Sequence, residues 1–227
     1  MKKIIIYTTE DKIISLHLVK QIVCNSFLKN YKIDIVLSKP NLLRKIKILI
    51  TVISFGSVKE FFLRIKDKVS IKQILRENKN CRVIKSSTNE NYEYGLSVYA
   101  TSKIKLQNFK IYNFHLGSLY NQRGSFIFFY KFIKSWDEVS LTFHEISERF
   151  DVGQIVNERK IKFKDNCFAT DVFFVYLNNM DFLIESIKKI DKNERKKFKE
   201  FFKLNLVPSF FNLFKEIAIF YLKKLKS

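Results

Sequence analysis

The sequence predicts an α/β protein: an open, doubly wound and mostly parallel sheet with helices on both faces, followed by a short helical C-terminal tail. Two observations support this prediction. The first forty residues alternate strand, helix and strand, which is the pattern of a βαβ unit in a parallel sheet. Only 5 Gly and 2 Pro occur in 227 residues, so most of the chain should be regular structure.

The opening segments establish the βαβ pattern. Residues 2–9, KKIIIYTT, form a continuous apolar run that is typical of a buried strand. Residues 10–30 have apolar side chains at helical spacing, and Asp11 is placed to cap the helix. A second strand is expected over 31–40, where it ends at Pro40.

The rest of the chain continues to alternate predicted strands and helices and completes a Rossmann-like sheet. Strands are expected at 81–85, 95–100, 109–115, 140–146 and 154–163. Helices are expected at 42–67 with a break at Gly56, at 70–77, 125–136 and 168–190, and at 193–227 with a break at Pro208. We therefore predict one domain over 1–165 and a helical extension over 166–227 that packs on it or forms a dimer interface.

The composition restricts the partners. The formal net charge is +20, from 42 Lys and Arg against 22 Asp and Glu. This charge attracts polyanions or small anionic ligands, although lysines that merely solvate the surface explain it equally well. Because the basic residues form no compact block, we favour a small anionic ligand and expect no nucleic-acid partner. The three Cys are far apart, which predicts no metal site, and with no signal-peptide pattern they suit a cytoplasmic protein.

Two stretches place polar residues at strand ends. In IYNFHLGSLYNQRGS, Asn113 and His115 alternate on a strand, so both side chains point to one face. In SLTFHEISERFDVGQIV, His144 ends a strand and Asp151 follows in a loop that could return to the same place. An Asp beside a His fixes the imidazole tautomer for proton transfer, and an amide N–H stabilises charge on an oxygen. Satisfied polar side chains at a strand edge are the structural alternative, which also applies to His144.

Together these stretches resemble the 10-formyltetrahydrofolate-dependent formyltransferase family. That family has Asn-x-His, an Arg-Gly eight residues after this His, and then a second His with an Asp-x-Gly seven residues further on. The matching positions are Asn113, His115, Arg123, Gly124, His144, Asp151 and Gly153. The resemblance is clearest over 92–163. The chain departs from the family at two positions. Leu116 stands where members usually have Pro or Ala, and Tyr120 stands where they often have Pro.

The resemblance implies a formyl transfer to an amine within a catalytic domain that spans 1–165. Asn113 and His115 would face the formyl group, Asp151 would orient His115, and His144 would support the site from behind. The residues implied to contact the folate are Ser97, Val98, Tyr99, Glu148, Phe150, Asp151 and Val152.

The acceptor is predicted from what the chain lacks. The loop after the first strand, YTTEDKIIS, has no glycine, unlike glycinamide ribonucleotide formyltransferases, and the residues after 163 predict helices rather than the β-barrel of methionyl-tRNA formyltransferases. The chain is thus most similar to the nucleotide-sugar N-formyltransferases, which commonly modify dTDP-linked amino-dideoxy sugars for surface polysaccharides such as O-antigen. The implied substrate contacts are Tyr7, Thr9, Lys12, Arg123 and Gly124.

Several alternatives remain open at this stage. A tRNA or glycinamide ribonucleotide acceptor is one. A non-catalytic folate-binding protein, or one that contacts a membrane surface through its Phe- and Lys-rich tail, is another. We expect a homodimer.

Overall fold

The computed structural model describes residues 2–10, 13–39, 41–56, 58–64, 69–85, 90–100, 104–149, 151–164, 167–191 and 205–225. Two predictions about where elements begin or end lie outside these ranges. They are the helix cap at Asp11 and the strand end at Pro40.

The described residues form one seven-stranded sheet. Its strands are β1 (Lys3–Thr9), β2 (Lys32–Ser38), β3 (Cys81–Ile84), β4 (Tyr94–Val98), β5 (Ile111–Leu116), β6 (Glu138–Glu145) and β7 (Ile155–Lys162). The spatial order is β3-β2-β1-β4-β5-β6-β7. The first five strands pair in parallel, whereas β6 and β7 are antiparallel additions at one edge. The predicted open and mostly parallel α/β sheet is therefore confirmed.

The helices follow the predicted pattern with two differences. They are α1 (Ser15–Val23), α2 (Leu42–Phe55), α3 (Val58–Arg64), α4 (Ile71–Glu77), α5 (Ile127–Ile133), α6 (Ala169–Phe173), α7 (Val175–Asn178), α8 (Met180–Asp191) and α9 (Phe210–Leu225). The expected break at Gly56 is present between α2 and α3. The single helix predicted over 168–190 is instead three helices. At the break between α7 and α8, the Asn179 side chain donates to the Val175 carbonyl and closes α7.

The tail also differs from the prediction. Residues 205–209 are not helical, and α9 begins only after Pro208. The extended backbone at Asn205 pairs with Gly124, where its N–H donates to the Arg123 carbonyl and its carbonyl accepts from Ser125, both at 2.8 Å. This pairing competes with helix formation and joins the tail to the loop after β5.

The two faces of the sheet are covered differently. Side chains such as Ile4, Ile6 and Phe114 bury one face in a large core to which all the helices from α1 to α9 contribute. Ile5 and Tyr7 point to the other face, in a smaller cluster with Tyr92 and Ile111. In the described part of the chain, strand and loop residues make this second cluster, so the helix layer is more one-sided than the sequence predicts.

Beside the second cluster lies a buried carboxylate. Asp34 on β2 accepts hydrogen bonds from Arg82 at 2.7 Å and from the Tyr92 hydroxyl at 2.6 Å, and its carboxylate lies 3.1 Å from the Lys3 ammonium. Burial alone would raise the pKa of Asp34, but the hydrogen bonds from Arg82, Tyr92 and Lys3 outweigh it and lower that pKa. The carboxylate therefore ties β1, β2 and β3 together in its charged form.

The C-terminal helix is attached through aromatic side chains. Phe55 at the end of α2 lies with its ring centroid 5.0 Å from that of Phe220 on α9 and 5.3 Å from that of Phe132. The outer side of α9 stays exposed at Phe211 and Leu225. The domain boundary at 165 and the homodimer stay predictions. None of the helices in the described ranges has the length and apolar character needed to cross a membrane.

Replacing Phe55 with Ala should destabilise the fold strongly. Phe55 is 8% exposed and packs against two other segments, so its loss leaves a cavity that costs about 3–5 kcal/mol. Urea denaturation should show this in the unfolding free energy. The matched control is Ile53→Ala, two residues away on α2 but 58% exposed, which should change that free energy by less than about 0.5 kcal/mol. Equal effects of the two variants would contradict the packing of α9 on α2.

Replacing Asp34 with Asn should cost about 3 kcal/mol at pH 7, because it leaves the Lys3 ammonium with one buried partner fewer. Since the native pKa lies below the ordinary 3.8, the charged form stabilises the fold above that pH. The advantage of the wild type should therefore disappear as pH falls through the lowered pKa. Urea titrations at pH 7, 4 and 2 measure it, with the exposed Asp137→Asn as control. A difference that persists unchanged at low pH would contradict this account.

Candidate active site

A row of polar side chains crosses the second face of the sheet. The strand registers pair Tyr7 with Ser97, Ser97 with Asn113, and Asn113 with His144. Residues paired in register on adjacent strands point to the same face. The row therefore runs from β1 to β6 and places Asn113 between a serine hydroxyl and an imidazole.

The contact between Asn113 and His144 has a defined donor. His144 Nδ1 lies 3.0 Å from the Glu145 carbonyl, which can only accept, so Nδ1 bears the proton of the neutral ring. Nε2 then accepts from the Asn113 amide nitrogen at 3.3 Å. Burial lowers the pKa of His144 to about 4, against a partly opposing effect of Asp151 and a reinforcing one of His115. His144 is thus a neutral acceptor that holds the Asn113 amide in one orientation.

The loop after β5 holds His115 from one side. Gly117 has φ +131°, and an added Cβ there would overlap the Gln122 carbonyl and lie 2.9 Å from His115 Nε2. The Gln122 side chain accepts from Ser118 and Ser140 and donates to Glu138, so this residue is fixed across the start of β6. The backbone carbonyl oxygen of Gln122 lies 3.4 Å from His115 Nε2. The imidazole is consequently confined between the loop and the sheet.

The loop between β6 and β7 returns Asp151 to the other side of His115. Asp151 Oδ1 lies 3.6 Å from His115 Nδ1, and Oδ2 accepts from the Gly124 N–H at 2.8 Å. The turn needs a left-handed backbone at Asp151, with φ +49°, and at Gly153, with φ +148°. A Cβ on Gly153 would overlap the Glu145 carbonyl. The glycine two residues after Asp151 therefore allows the loop to pass directly against the end of β6.

These residues border one cleft of about 180 Å³. Its polar lining includes Ser97, Asn113, His115, His144, Glu148 and Asp151. Its aromatic and apolar lining includes Tyr99, Phe126, Phe128, Ile146, Phe173 and Tyr176. Because the cleft lies at the carboxyl ends of β4 and β5, it occupies the usual ligand site of an open parallel sheet. A polar end beside an apolar wall suits a flat heteroaromatic ligand.

Tyr176 connects the cleft to the C-terminal helices. Its hydroxyl accepts from the Leu116 N–H at 2.6 Å, directly after His115, and burial raises its pKa so that the hydroxyl stays neutral. Its ring lies edge-on to Phe114 at 4.9 Å between centroids. The region after residue 166 thus contributes a side chain to the cleft.

Comparison with solved structures identifies the fold that holds this cleft. No protein-family model matches the sequence, and no curated protein matches it. An N-formyltransferase from Helicobacter canadensis, solved with folinic acid and dTDP-3-aminofucose, is 18% identical with TM-score 0.62, over 99% of this chain and 82% of its own. WlaRD, a sugar 3N-formyltransferase solved with dTDP and 5-N-formyl-THF, is 19% identical with TM-score 0.61, over 99% and 81%. The chain has the sugar N-formyltransferase fold.

A larger protein has the same fold in one part. A variant of HypX from Aquifex aeolicus is 13% identical with TM-score 0.57 over 91% of this chain, but the chain spans only 30% of HypX. At these identities the likeness establishes the fold, and it confirms the predicted resemblance to formyltransferases at that level.

The sequence-predicted residues fall into three groups within this fold. Those that line the cleft are Ser97, Tyr99, Asn113, His115, Gly124, His144, Glu148 and Asp151. Those placed elsewhere are Tyr7, Thr9, Val98, Arg123 and Val152. Lys12 and Phe150 lie outside the described residues. The roles assigned to all of them stay predictions.

The residues placed elsewhere have other contacts. Tyr7 packs in the second cluster, and the Thr9 hydroxyl lies 3.1 Å from that of Ser38. The Val98 side chain lies in the large core, while its carbonyl accepts from Thr8. The Arg123 backbone is paired with Asn205.

Sequence analysis missed Arg44, Phe126 and Tyr176, which also line the cleft. Arg44 is one of many basic residues, and Tyr176 lies within an apolar helical run, so no local signal separates either of them. Phe126 adopts φ +66° at the start of α5, which no sequence rule predicts for a Phe. Only long-range packing brings these three to the site.

Replacing His144 with Gln should reduce the pH dependence of stability. Because the native pKa is about 4 against an ordinary 6.5, the unfolded chain binds a proton first, and His144 makes the fold less stable as pH falls from 6.5 to 4. This loss is at most about 3 kcal/mol. Urea denaturation at pH 7, 5.5 and 4.5 should show a smaller loss in the variant. His17→Gln on α1 controls for the substitution, and equal pH profiles of wild type and His144→Gln would refute a neutral His144.

Proposed function

We propose that the protein transfers a formyl group from 10-formyltetrahydrofolate to the amino group of a nucleotide-linked amino sugar. The observation that supports this proposal best is the convergence of Asn113, His115 and Asp151 on one cleft of the sugar N-formyltransferase fold. An amide donor, an imidazole and a carboxylate can together promote acyl transfer to an amine without a covalent nucleophile, through oxyanion stabilisation and proton transfer.

Each of the three residues has a distinct task in the proposed reaction. Asn113 presents its amide to the formyl oxygen, since His144 holds that amide and no further partner of Asn113 occurs among the described residues. His115 takes the proton that the amine loses as its nitrogen bonds to the formyl carbon. A proton must also reach the folate nitrogen as its bond to that carbon breaks, and His115 is placed to return it. The Asp151 carboxylate lies beside Nδ1 of His115 and orients the imidazole from that side.

The cleft suits a folate by its chemistry. Ser97 and Asn113 offer hydrogen-bonding groups on its floor, while Tyr99, Ile104 and Ile146 offer apolar surface for a flat ring. Glu148 and Asp151 lie on the loop that borders the same space. We assign these residues as the folate contacts. The bound folate would supply an activated formyl group. Among the described residues no cluster of three His, Cys, Asp or Glu could hold a metal ion.

The amino sugar is favoured as the acceptor by the ligands of similar structures. The structures from Helicobacter canadensis and of WlaRD were solved with dTDP-3-aminofucose and with dTDP. A dTDP-linked sugar, a role in O-antigen synthesis and a cytoplasmic location belong to the same proposal, as does a homodimer.

A formyl-transfer assay tests the function. Purified protein with 10-formyltetrahydrofolate should release tetrahydrofolate in the presence of a dTDP- or UDP-linked amino sugar. Asn113→Ala should lower kcat about a hundredfold or more through loss of the oxyanion donor. His115→Ala and Asp151→Asn should each lower it about a hundredfold through loss of proton transfer. Release only with methionyl-tRNA or glycinamide ribonucleotide would refute the sugar acceptor and keep the chemistry.

The control for these variants is Asn30→Ala, at an exposed turn before β2, which should retain wild-type kcat. Thermal unfolding should show that each variant is folded at the assay temperature. Wild-type activity in Asp151→Asn would contradict the role given to this carboxylate.

A further inference from the structure

We propose that Arg44 forms a subsite of the cleft that binds the diphosphate of the nucleotide-linked substrate. This inference rests on the proposed function for the identity of the ligand. That an anion-binding group is present at all is inferred from the geometry of Arg44 alone.

Arg44 occupies an electrostatically unfavourable position. It lies in the first turn of α2, where the Asn41 side chain accepts from its backbone N–H at 3.1 Å and caps the helix. The positive end of the helix dipole disfavours a cation there, and this turn contains no acidic residue. Within the described ranges, no carboxylate lies within ion-pair distance of Arg44. A bound anion would offset both the dipole and the missing partner.

The guanidinium is partly desolvated and belongs to a residue that lines the cleft. Its central carbon lies 5.9 Å from the centroid of the Phe126 ring, so an aromatic face covers one side. Its Nε is buried, and no acceptor among the described residues satisfies it. Leaving a charged donor buried without a partner is costly. Arg44 lines the same cleft as Asn113 and His115, so an anion bound there can offset its charge.

The position of Arg44 favours the amino-sugar substrate over the folate. The assigned folate contacts lie on β4 and the residues that follow it, at Asn113 on β5, and on the loop between β6 and β7. Arg44 instead adjoins Phe126, at the start of α5 and on a different segment of the lining. A guanidinium held against a ring presents two parallel N–H groups, which match the oxygens of a phosphate. A nucleoside diphosphate carries such oxygens, and the glutamate carboxylates of folate are the competing source.

Binding measurements separate these sources without turnover. Calorimetric titrations of wild type and Arg44→Gln with dTDP, thymidine and folinic acid should show dTDP binding weakened about tenfold to a hundredfold. Thymidine and folinic acid should bind the two proteins within about twofold. Arg44→Lys should retain part of the dTDP affinity, because it keeps the charge but loses the planar fork. Lys45→Gln removes a charge from the neighbouring, exposed position on α2 and should leave all affinities unchanged.

Three results would overturn the subsite: equal dTDP affinity in wild type and Arg44→Gln, a loss confined to folinic acid, or wild-type protein that binds dTDP no better than thymidine. Failure of the proposed function has a different signature, namely no formyl transfer by wild type to any amino sugar while dTDP binding still depends on Arg44. In the transfer assay, Arg44→Gln should raise the KM for the dTDP-linked sugar by the same tenfold to hundredfold, with a smaller change in kcat.

Discussion

The antiparallel register between β5 and β6 is the constraint on which the site depends. It pairs Asn113 with His144 and so places the imidazole acceptor beside the amide that it orients. A shift of one residue would turn His144 to the core face, because alternate residues of a strand point to opposite faces. The buried Leu141 and Phe143 on that opposite face favour this register, since a slip of one residue would turn them from the core to the polar face of the site. Core packing on one side of the sheet thereby determines the chemistry on the other.

The loops that complete the site require unusual backbone conformations. Tyr99, Phe126 and Asp151 all have positive φ without being glycine, and all three border the cleft. Such residues are sparse in proteins and persist only where surrounding contacts determine them. Here the contacts are specific: Asp151 is held by the Gly124 N–H, and Phe126 begins α5 under the guanidinium of Arg44. The strain is thus concentrated in the segments that shape the ligand space.

The sequence predicts the sheet well because its signals are local. Continuous apolar runs with β-branched residues locate β1 and β2, and the helical spacing with Gly56 locates the break between α2 and α3. The proximity of Asn113, His115 and Asp151 is also predictable, since strand alternation and a short returning loop are local features. Arg44 and Tyr176 are not predictable in this way. They reach the cleft through helix packing, and residues of the same type occur throughout the chain without such a role.

The C-terminal region belongs to the site as much as to the scaffold. The Tyr176 hydroxyl accepts from the Leu116 N–H, and Asn205 pairs with the backbone on both sides of Gly124, whose own N–H holds Asp151. Each contact fixes a segment directly adjoining a proposed catalytic residue. Since backbone hydrogen bonds of a loop must be satisfied somewhere, these partners determine which loop conformation is stable. The late part of the chain therefore helps to determine the shape of the cleft, while the strand ends hold Asn113 and His115.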